Sequence, residues 1–234
     1  MASSAPRTAR DRARAELTAE IKATARRHLA EQGSSALSLR AVARDLGMVS
    51  SAVYRYFPSR DELLTALIID AYAAVGEAAA SGDGTRRRTD LPGRLLAIAR
   101  AIRGWAVENP AEYALVYGSP VPGYQAPVDT IAPAAEVTLV FLRLIVDAHE
   151  AGRLVADPAP IPHAVRADLA VLREAAPGVP DDAILRALAV WTELFGLITF
   201  ELFGHLHNVI HDHDALFDHQ LRVAGRTLFG TASH

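Results

Sequence analysis

Cysteine is absent from the 234-residue chain, so no disulfide framework, thiolate zinc site or cysteine nucleophile is open to it. Aromatic residues make up only 6%, and the β-branched and aromatic runs that strands prefer are scarce beside Ala, Leu, Arg and Val. That mixture predicts an all-α fold. Phosphate-cradling and hydrolase patterns such as the P-loop, GxGxxG, HExxH and GxSxG are missing as well, and without strands there is no sheet on which the Rossmann or hydrolase motifs would work. Glu193 and Glu201 share an apolar helical segment, but two turns separate them, about 12 Å by helix rise, too far for a retaining carboxylate pair. No enzyme and no cofactor is predicted. The apolar-rich stretches Leu194–Phe200 and Val137–Leu142, each holding one threonine, fall short of the roughly 20 residues that span a bilayer. Met1–Arg14 has no apolar segment of the kind a secretory signal carries. The expectation is a cytoplasmic protein with no membrane partner.

What the chain does have is an apolar half, enough to bury a real core, and an uneven distribution of charge. Residues 1–60 hold eleven basic side chains against five acidic ones, a charge of +6, which leaves −9 for the rest of a chain whose net charge is −3. A basic head on an acidic body is what a protein with one phosphate-facing end requires.

Apolar periodicity places a first helix over about Asp11–Glu31, with Leu17, Ile21, Ala25 and Leu29 on one face. Ser38 is placed to cap a short second helix through Leu46, and Gly47 to turn the chain in the left-handed conformation. Ser50 is read as the cap of a third helix, Ser51–Tyr56, ended by Pro58. Ser59 and Glu62 form an S-x-x-E capping box that opens a fourth helix toward Ala80. Ser81–Asp90, with Gly82, Gly84 and three consecutive arginines, reads as a hinge loop. Further helices are expected at about Leu91–Glu108, Pro110–Tyr117, Ala126–Ala151, Pro162–Ala175, Asp181–His207 and Asp212–Phe229. The domain division expected from this punctuation is 1–60 for an N-terminal arm and helical head, 61–81 for a linking helix, and 82–234 for a larger helical region.

The second and third helices have the length and spacing of a helix-turn-helix, whose second helix enters the major groove. The third helix offers Ser50 and Ser51 at its start, then Tyr54, Arg55 and Tyr56, hydroxyls and a guanidinium able to bond phosphates and base edges. The run from Leu37 to Leu64, LSLRAVARDLGMVSSAVYRYFPSRDELL, resembles the TetR signature across helices two to four. It joins an alanine inside helix two, the turn glycine, a Tyr-x-x-Phe end to helix three and a basic residue opening helix four. The resemblance implies a DNA-binding set of Ser38, Arg40, Ser50, Ser51, Ala52, Tyr54, Arg55, Tyr56 and Arg60. Within it Ser38, Ser50, Tyr54, Tyr56 and Arg60 would meet phosphates, and Ser51, Ala52 and Arg55 bases. Where the family often has lysine, Arg60 keeps the charge.

One short recognition helix covers one half-site, so a homodimer on a palindromic double-stranded operator is expected, with half-sites about one helical turn apart or a multiple of that. In TetR-type proteins two C-terminal helices form the dimer interface, and Asp181–His207 with Asp212–Phe229 occupy that place. The spacing of Trp191, Gly196, Glu201, Leu202, Gly204 and His205 also resembles the C-terminal subclass named for a Trp-His-Gly motif, with Phe195 where that class has histidine. The effector-binding set is Trp105, Tyr113, Tyr117, Tyr124, Phe141, Trp191 and Phe195, aromatic side chains suited to a small hydrophobic effector. For Trp191 and Phe195 ordinary packing competes with that role, and Gly118–Pro127 is the candidate lid.

His205, His207, His211 and His213 have a metal-like look, with His207 and His211 four residues apart. They straddle a helix end where histidines suit the macrodipole and solvent, and no metal site is predicted. The expected function is a regulator, by the family's habit a repressor, released from its operator by effector. The alternative from another class is a ligand-sequestering helical protein with no operator, which the +6 head disfavours.

Overall fold

The computed structural model describes residues 8–157 and 159–230. The start of the N-terminal arm and Pro158, which belongs to the proline cluster before residue 162, lie outside the described residues. Every regular element among the described residues is helical. In chain order these are α1 (Ala9–Gln32), α2 (Leu39–Asp45), α3 (Ser50–Tyr54), α4 (Arg60–Gly84), α5 (Leu91–Glu108), α6 (Pro110–Tyr117), α7 (Ile131–Glu150), α8 (His163–Asp168), α9 (Ala170–Ala175), α10 (Asp181–Leu202) and α11 (His213–Phe229). The all-α expectation holds.

The helices sort into two compact units. One holds the described residues up to Ala71 together with Asn109–Ile131, and the other holds Tyr72–Glu108 with the described residues from Ala132 onward.

In the first unit the predicted apolar face of α1 is real: Ile21, Ala25 and Leu29 are buried. With them lie Leu39, Val42 and Ala43 of α2, Val53 of α3, Phe57, and Leu63, Leu64 and Leu67 of α4. Each such Leu, Ile or Phe contributes about 1.5–3 kcal/mol of burial. Ion pairs ring this core. Lys22 and Arg26 of α1 both reach Asp70 of α4, at 2.6 Å each, and Arg26 also reaches Glu112 of α6 at 2.5 Å. Tyr113 of α6 is fully buried. The segment read from sequence as part of the effector region thus packs with the head.

The second unit is organised by arginines of α5. Arg94, 1% exposed, bonds Asp83 of α4 through two nitrogens at 2.7 and 3.1 Å and meets Asp147 of α7 at 2.8 Å. The hydrogen bond it donates to Asp83 is the main reason its protonated form is favoured even beyond the ordinary guanidinium. Arg103 grips Glu201 of α10 at 2.7 and 2.8 Å, and Arg100 grips Asp218 of α11. Glu201 is therefore a structural partner, while burial pushes the Glu193 carboxyl upward.

Several boundaries differ from expectation. Gly82 and Gly84 are helical and the turn is shorter than predicted. Gly82 lies so close to α5 that a Cβ there would stand 2.6 Å from the Ala97 carbonyl, so this glycine marks a helix crossing and not a loop. The helix expected over Pro162–Ala175 breaks at Leu169, whose ψ of 0° interrupts the ladder between α8 and α9. Helix α7 starts later than expected, behind a 3-10 turn at Val128–Thr130. Helix α10 stops at Leu202 and not at His207, because Gly204 takes a φ of 77° and the His205 and Gly204 amides turn back to the Phe200 and Glu201 carbonyls. By length and composition α4 and α10 could each cross a membrane, a property that counting apolar stretches did not register. In α4 the leucines responsible are core residues.

Candidate nucleic-acid interface

Helix α2 ends in a pair of reversed bonds, Gly47 N–H to the Arg44 carbonyl at 3.0 Å and Met48 N–H to the Ala43 carbonyl at 2.8 Å, with Gly47 at φ 65°. That cap requires a left-handed residue and fixes the angle at which the chain leaves for α3. Helix α2 is also held from behind. His28 of α1 is buried and its Nε2 donates to Asp45 at 2.7 Å, which keeps the Asp45 carboxyl below the ordinary carboxylate range. The sequence reading passed over this pair.

Helix α3 begins one residue earlier than predicted. Val49, in extended conformation, is the N-cap, and Ser50 is the first helical residue, so Ser50 does not cap. The reason is the early bond from the Ala52 N–H to the Val49 carbonyl at 2.9 Å, which draws Val49 into the cap position. Ser38 does occupy the cap position of α2, without a side-chain capping bond. Both hydroxyls are thereby left to other partners. At α4 the capping box forms its first half, the Glu62 N–H donating to the Ser59 hydroxyl at 3.1 Å.

One residue per turn of α3 points inward: Val53 is buried, as is Phe57 just past its end. On the other side Ser51, Tyr54 and Arg55 are exposed, Tyr54 by 41%, with Ser50 and Ala52 half-buried beside them. Arg40, at the start of α2, is exposed too. Arg40 and Arg55 make no ion pair or hydrogen bond among the described residues. Tyr56 is half-buried under the Arg14 guanidinium of α1, 5.1 Å from its ring centre.

Arg60 stands apart from this set. Its guanidinium donates to the Ser34 carbonyl at 2.8 Å and the Leu37 carbonyl at 3.2 Å, and it is drawn to Asp61 at 3.4 Å. Its donors tie the loop before α2 to the start of α4, so phosphate has only part of them to use.

The expected effector residues are divided between the units. Tyr113 and Tyr117 of α6 stack at 5.2 Å, and Tyr124 shares a 2.8 Å hydrogen bond with Thr65 of α4, all in the first unit. In the second unit Phe141, Trp191 and Phe195 form a row, with ring centres 5.7 and 4.7 Å apart. Phe141 and Trp191 line a cavity of about 60 Å³ together with Thr138, Leu142, Leu172, Ile184, Ala187 and Leu188. Trp105 of α5 is half-buried in the same unit and does not line it. Sequence reasoning missed the aliphatic wall, since a core leucine and a pocket leucine look alike in sequence. No group of three or more potential metal ligands occurs among the described residues.

Two family patterns match the chain. The pattern described as bacterial regulatory proteins, tetR family, matches residues 21–67, and that described as tetracyclin repressor-like, C-terminal domain, matches residues 95–224. The HTH-type transcriptional regulators Mb1846 of Mycobacterium bovis and Rv1816 of Mycobacterium tuberculosis are each 42% identical over 217 residues, covering 90% of this chain and 92% of the relative. The crystal structure of the regulatory protein SCO4313 is similar at 38% identity and a TM-score of 0.74, covering 93% of this chain and 98% of that one. A tetR-family regulatory protein from Rhodococcus RHA1, 22% identical with a TM-score of 0.62, shares the fold over 92% of this chain and 98% of its own. With both halves matched and a relative this near over nearly all its length, the chain belongs to the TetR family of bacterial transcription regulators, DNA-binding proteins and not enzymes.

Proposed function

We propose that this regulator is a cytoplasmic repressor that binds a palindromic operator as a homodimer and leaves it when a small hydrophobic effector occupies the second unit. The observation that carries the reading is the outward side of α3, where Ser51, Tyr54 and Arg55 stand exposed at the end of a rigidly capped turn. Arg55 with Ser51 and Ala52 reads base edges, and Ser38, Arg40, Ser50, Tyr54, Tyr56 and the free part of Arg60 hold phosphates. On this reading the chain divides functionally into a head at 1–60, a linking helix at 61–81 and an effector and dimerisation region at 82–234, from which Asn109–Ile131 departs by packing in the first unit.

Dimerisation through α10 and α11 is supported by what they leave uncovered. Leu188, Thr192 and Gly196 follow one exposed stripe of α10, with Leu188 42% exposed, and Val223 of α11 is 39% exposed. A Cβ at Gly196 would meet nothing within 4 Å, so the stripe has room for a facing helix. The same helix carries the spacing of the Trp-His-Gly subclass, to which we assign the C-terminal region.

For the effector, the cavity beside Phe141 and Trp191 is apolar apart from Thr138. Its 60 Å³ is below the roughly 150 Å³ that holds benzene, so a larger effector has to widen it. Widening would act on α7, where Val137, one turn before Phe141, lies against Gly76 of α4. Displacing α4 would change the separation of the paired recognition helices, a population shift with a geometric readout.

The test is a fluorescence-anisotropy titration of the full chain against duplex DNA from beside its own gene. Sequence-selective binding that weakens steeply with salt is expected. Equal affinity for an unrelated duplex would refute the operator reading.

A further inference from the structure

Helix α1 is longer than its core needs. Its buried residues begin at Ile21, with Leu17 half-buried, whereas every residue from Ala9 to Glu16 is exposed. About two turns, ~12 Å of helix, therefore extend past the packed part of the first unit. A helix end of this kind frays unless something else holds it. Its own start is well made, the Thr8 hydroxyl accepting from the Asp11 N–H at 3.1 Å, so the extension is built as helix.

The two sides of that extension differ. At 100° per residue Arg14 and Arg10 continue the face that carries Ile21 and Ala25 deeper in the helix, beyond the edge of the core. Arg14 lies over the ring of Tyr56, just past α3, which sets this face beside the recognition segment. Arg10 is one turn further out on the same face and makes no ion pair or hydrogen bond among the described residues. Arg12 points the opposite way, and Glu16, one turn on, shares its side and offsets its charge.

We infer that the Arg10–Arg14 face of α1 is a further DNA-binding surface, taking backbone phosphates of the duplex that flank the segment read by α3. Arg10 makes the contact directly. Arg14 acts as a positioning residue as well, through its stack on Tyr56. Arg12 takes no part. The occupant is a nucleic-acid backbone because the face is cationic, fully exposed and continuous with the recognition segment, and because guanidinium groups pair well with phosphate.

The inference rests on the operator reading, so its test separates the two. Full-length wild type, Arg10→Ala and Arg12→Ala are titrated across a salt series, once with a duplex from beside the gene and once with an unrelated duplex, which reports phosphate contacts alone. For Arg10→Ala the slope of log K against log salt should become shallower by about 0.9, the value of one released phosphate contact. Its affinity for both duplexes should fall about three- to tenfold at low salt. The ratio between the duplexes and the helical circular dichroism should stay at wild-type values, and Arg12→Ala should match wild type throughout. The inference is overturned if Arg10→Ala keeps the wild-type slope, or if Arg12→Ala loses as much as Arg10→Ala. Loss of the ratio between duplexes in wild type would instead strike the operator reading itself.

Discussion

The α3 side of the first unit and the α5 framework of the second use arginine in opposite ways, although Arg26 in the first unit is also paired. In the first, Arg10, Arg40 and Arg55 are exposed and make no ion pair among the described residues, and Arg14 rests on an aromatic ring. In the second, Arg94, Arg100 and Arg103 all rise from α5 and all end on carboxylates of other helices. Charge left unpaired at the surface keeps its interaction energy for a ligand, whereas charge paired inside holds helices at a fixed angle. The same residue type thus marks the proposed DNA interface in one place and a framework in the other, and only the partner distinguishes them.

The largest expected effect breaks the framework side. Arg94→Met leaves Asp83 and Asp147 without their buried partner, and urea denaturation should show a loss of about 3–5 kcal/mol. A change under 1 kcal/mol would mean that the network contributes little. On the interface side, Tyr54→Ala and Arg55→Ala should each weaken operator binding by about 1–3 kcal/mol with the melting temperature unchanged. Should either variant unfold, its side chain belongs to the core and the facing of α3 is wrong.

Arg60 sharpens the comparison because it sits on the boundary. With two carbonyls to satisfy, Arg60→Ala should lower stability by about 1–3 kcal/mol as well as weakening DNA binding, unlike Arg55→Ala, and both can be read from one set of melting curves and titrations. Ser59→Ala removes the cap of α4 and should cost about 1 kcal/mol in a thermal melt, with operator affinity per folded molecule preserved.

The smallest effect is a pH dependence. The hydrogen bond from Arg100, opposed in part by burial, holds Asp218 below the ordinary carboxylate range. A carboxyl depressed in the folded state stabilises above its unfolded value of about 4 and loses that contribution as pH falls through its folded value. Asp218→Asn should therefore flatten the acid limb of the stability profile and leave the neutral region lower. An unchanged acid limb would show that the pair is solvent-screened.

How much of this was legible beforehand follows from the range of each interaction. The helices, the turn at Gly47 and the capping box at Ser59 are set by residues within four or five positions of one another, and periodicity with cap chemistry located them well. Where a boundary was missed, the deciding bond was a backbone one, as at Val49 and Gly204, and side-chain preference does not report it. The arginine anchors were hidden for a different reason. Arg103 and Glu201 are 98 positions apart, and Lys22 and Asp70 are 48 apart, so nothing local couples them. The aromatic set shows the same limit: composition picked out Tyr113, Tyr124, Phe141 and Trp191 alike, but only tertiary structure assigns the tyrosines to the head's unit and the other two to a cavity.

The division between an outward-charged interface and an inward-charged framework is tested most directly by hydrogen-exchange mass spectrometry of the full chain with and without operator duplex. The account predicts that DNA slows exchange in peptides covering α2, α3 and the first two turns of α1, while α10 and α11 exchange as before. Protection confined to α10 and α11, with α3 unchanged, would contradict it.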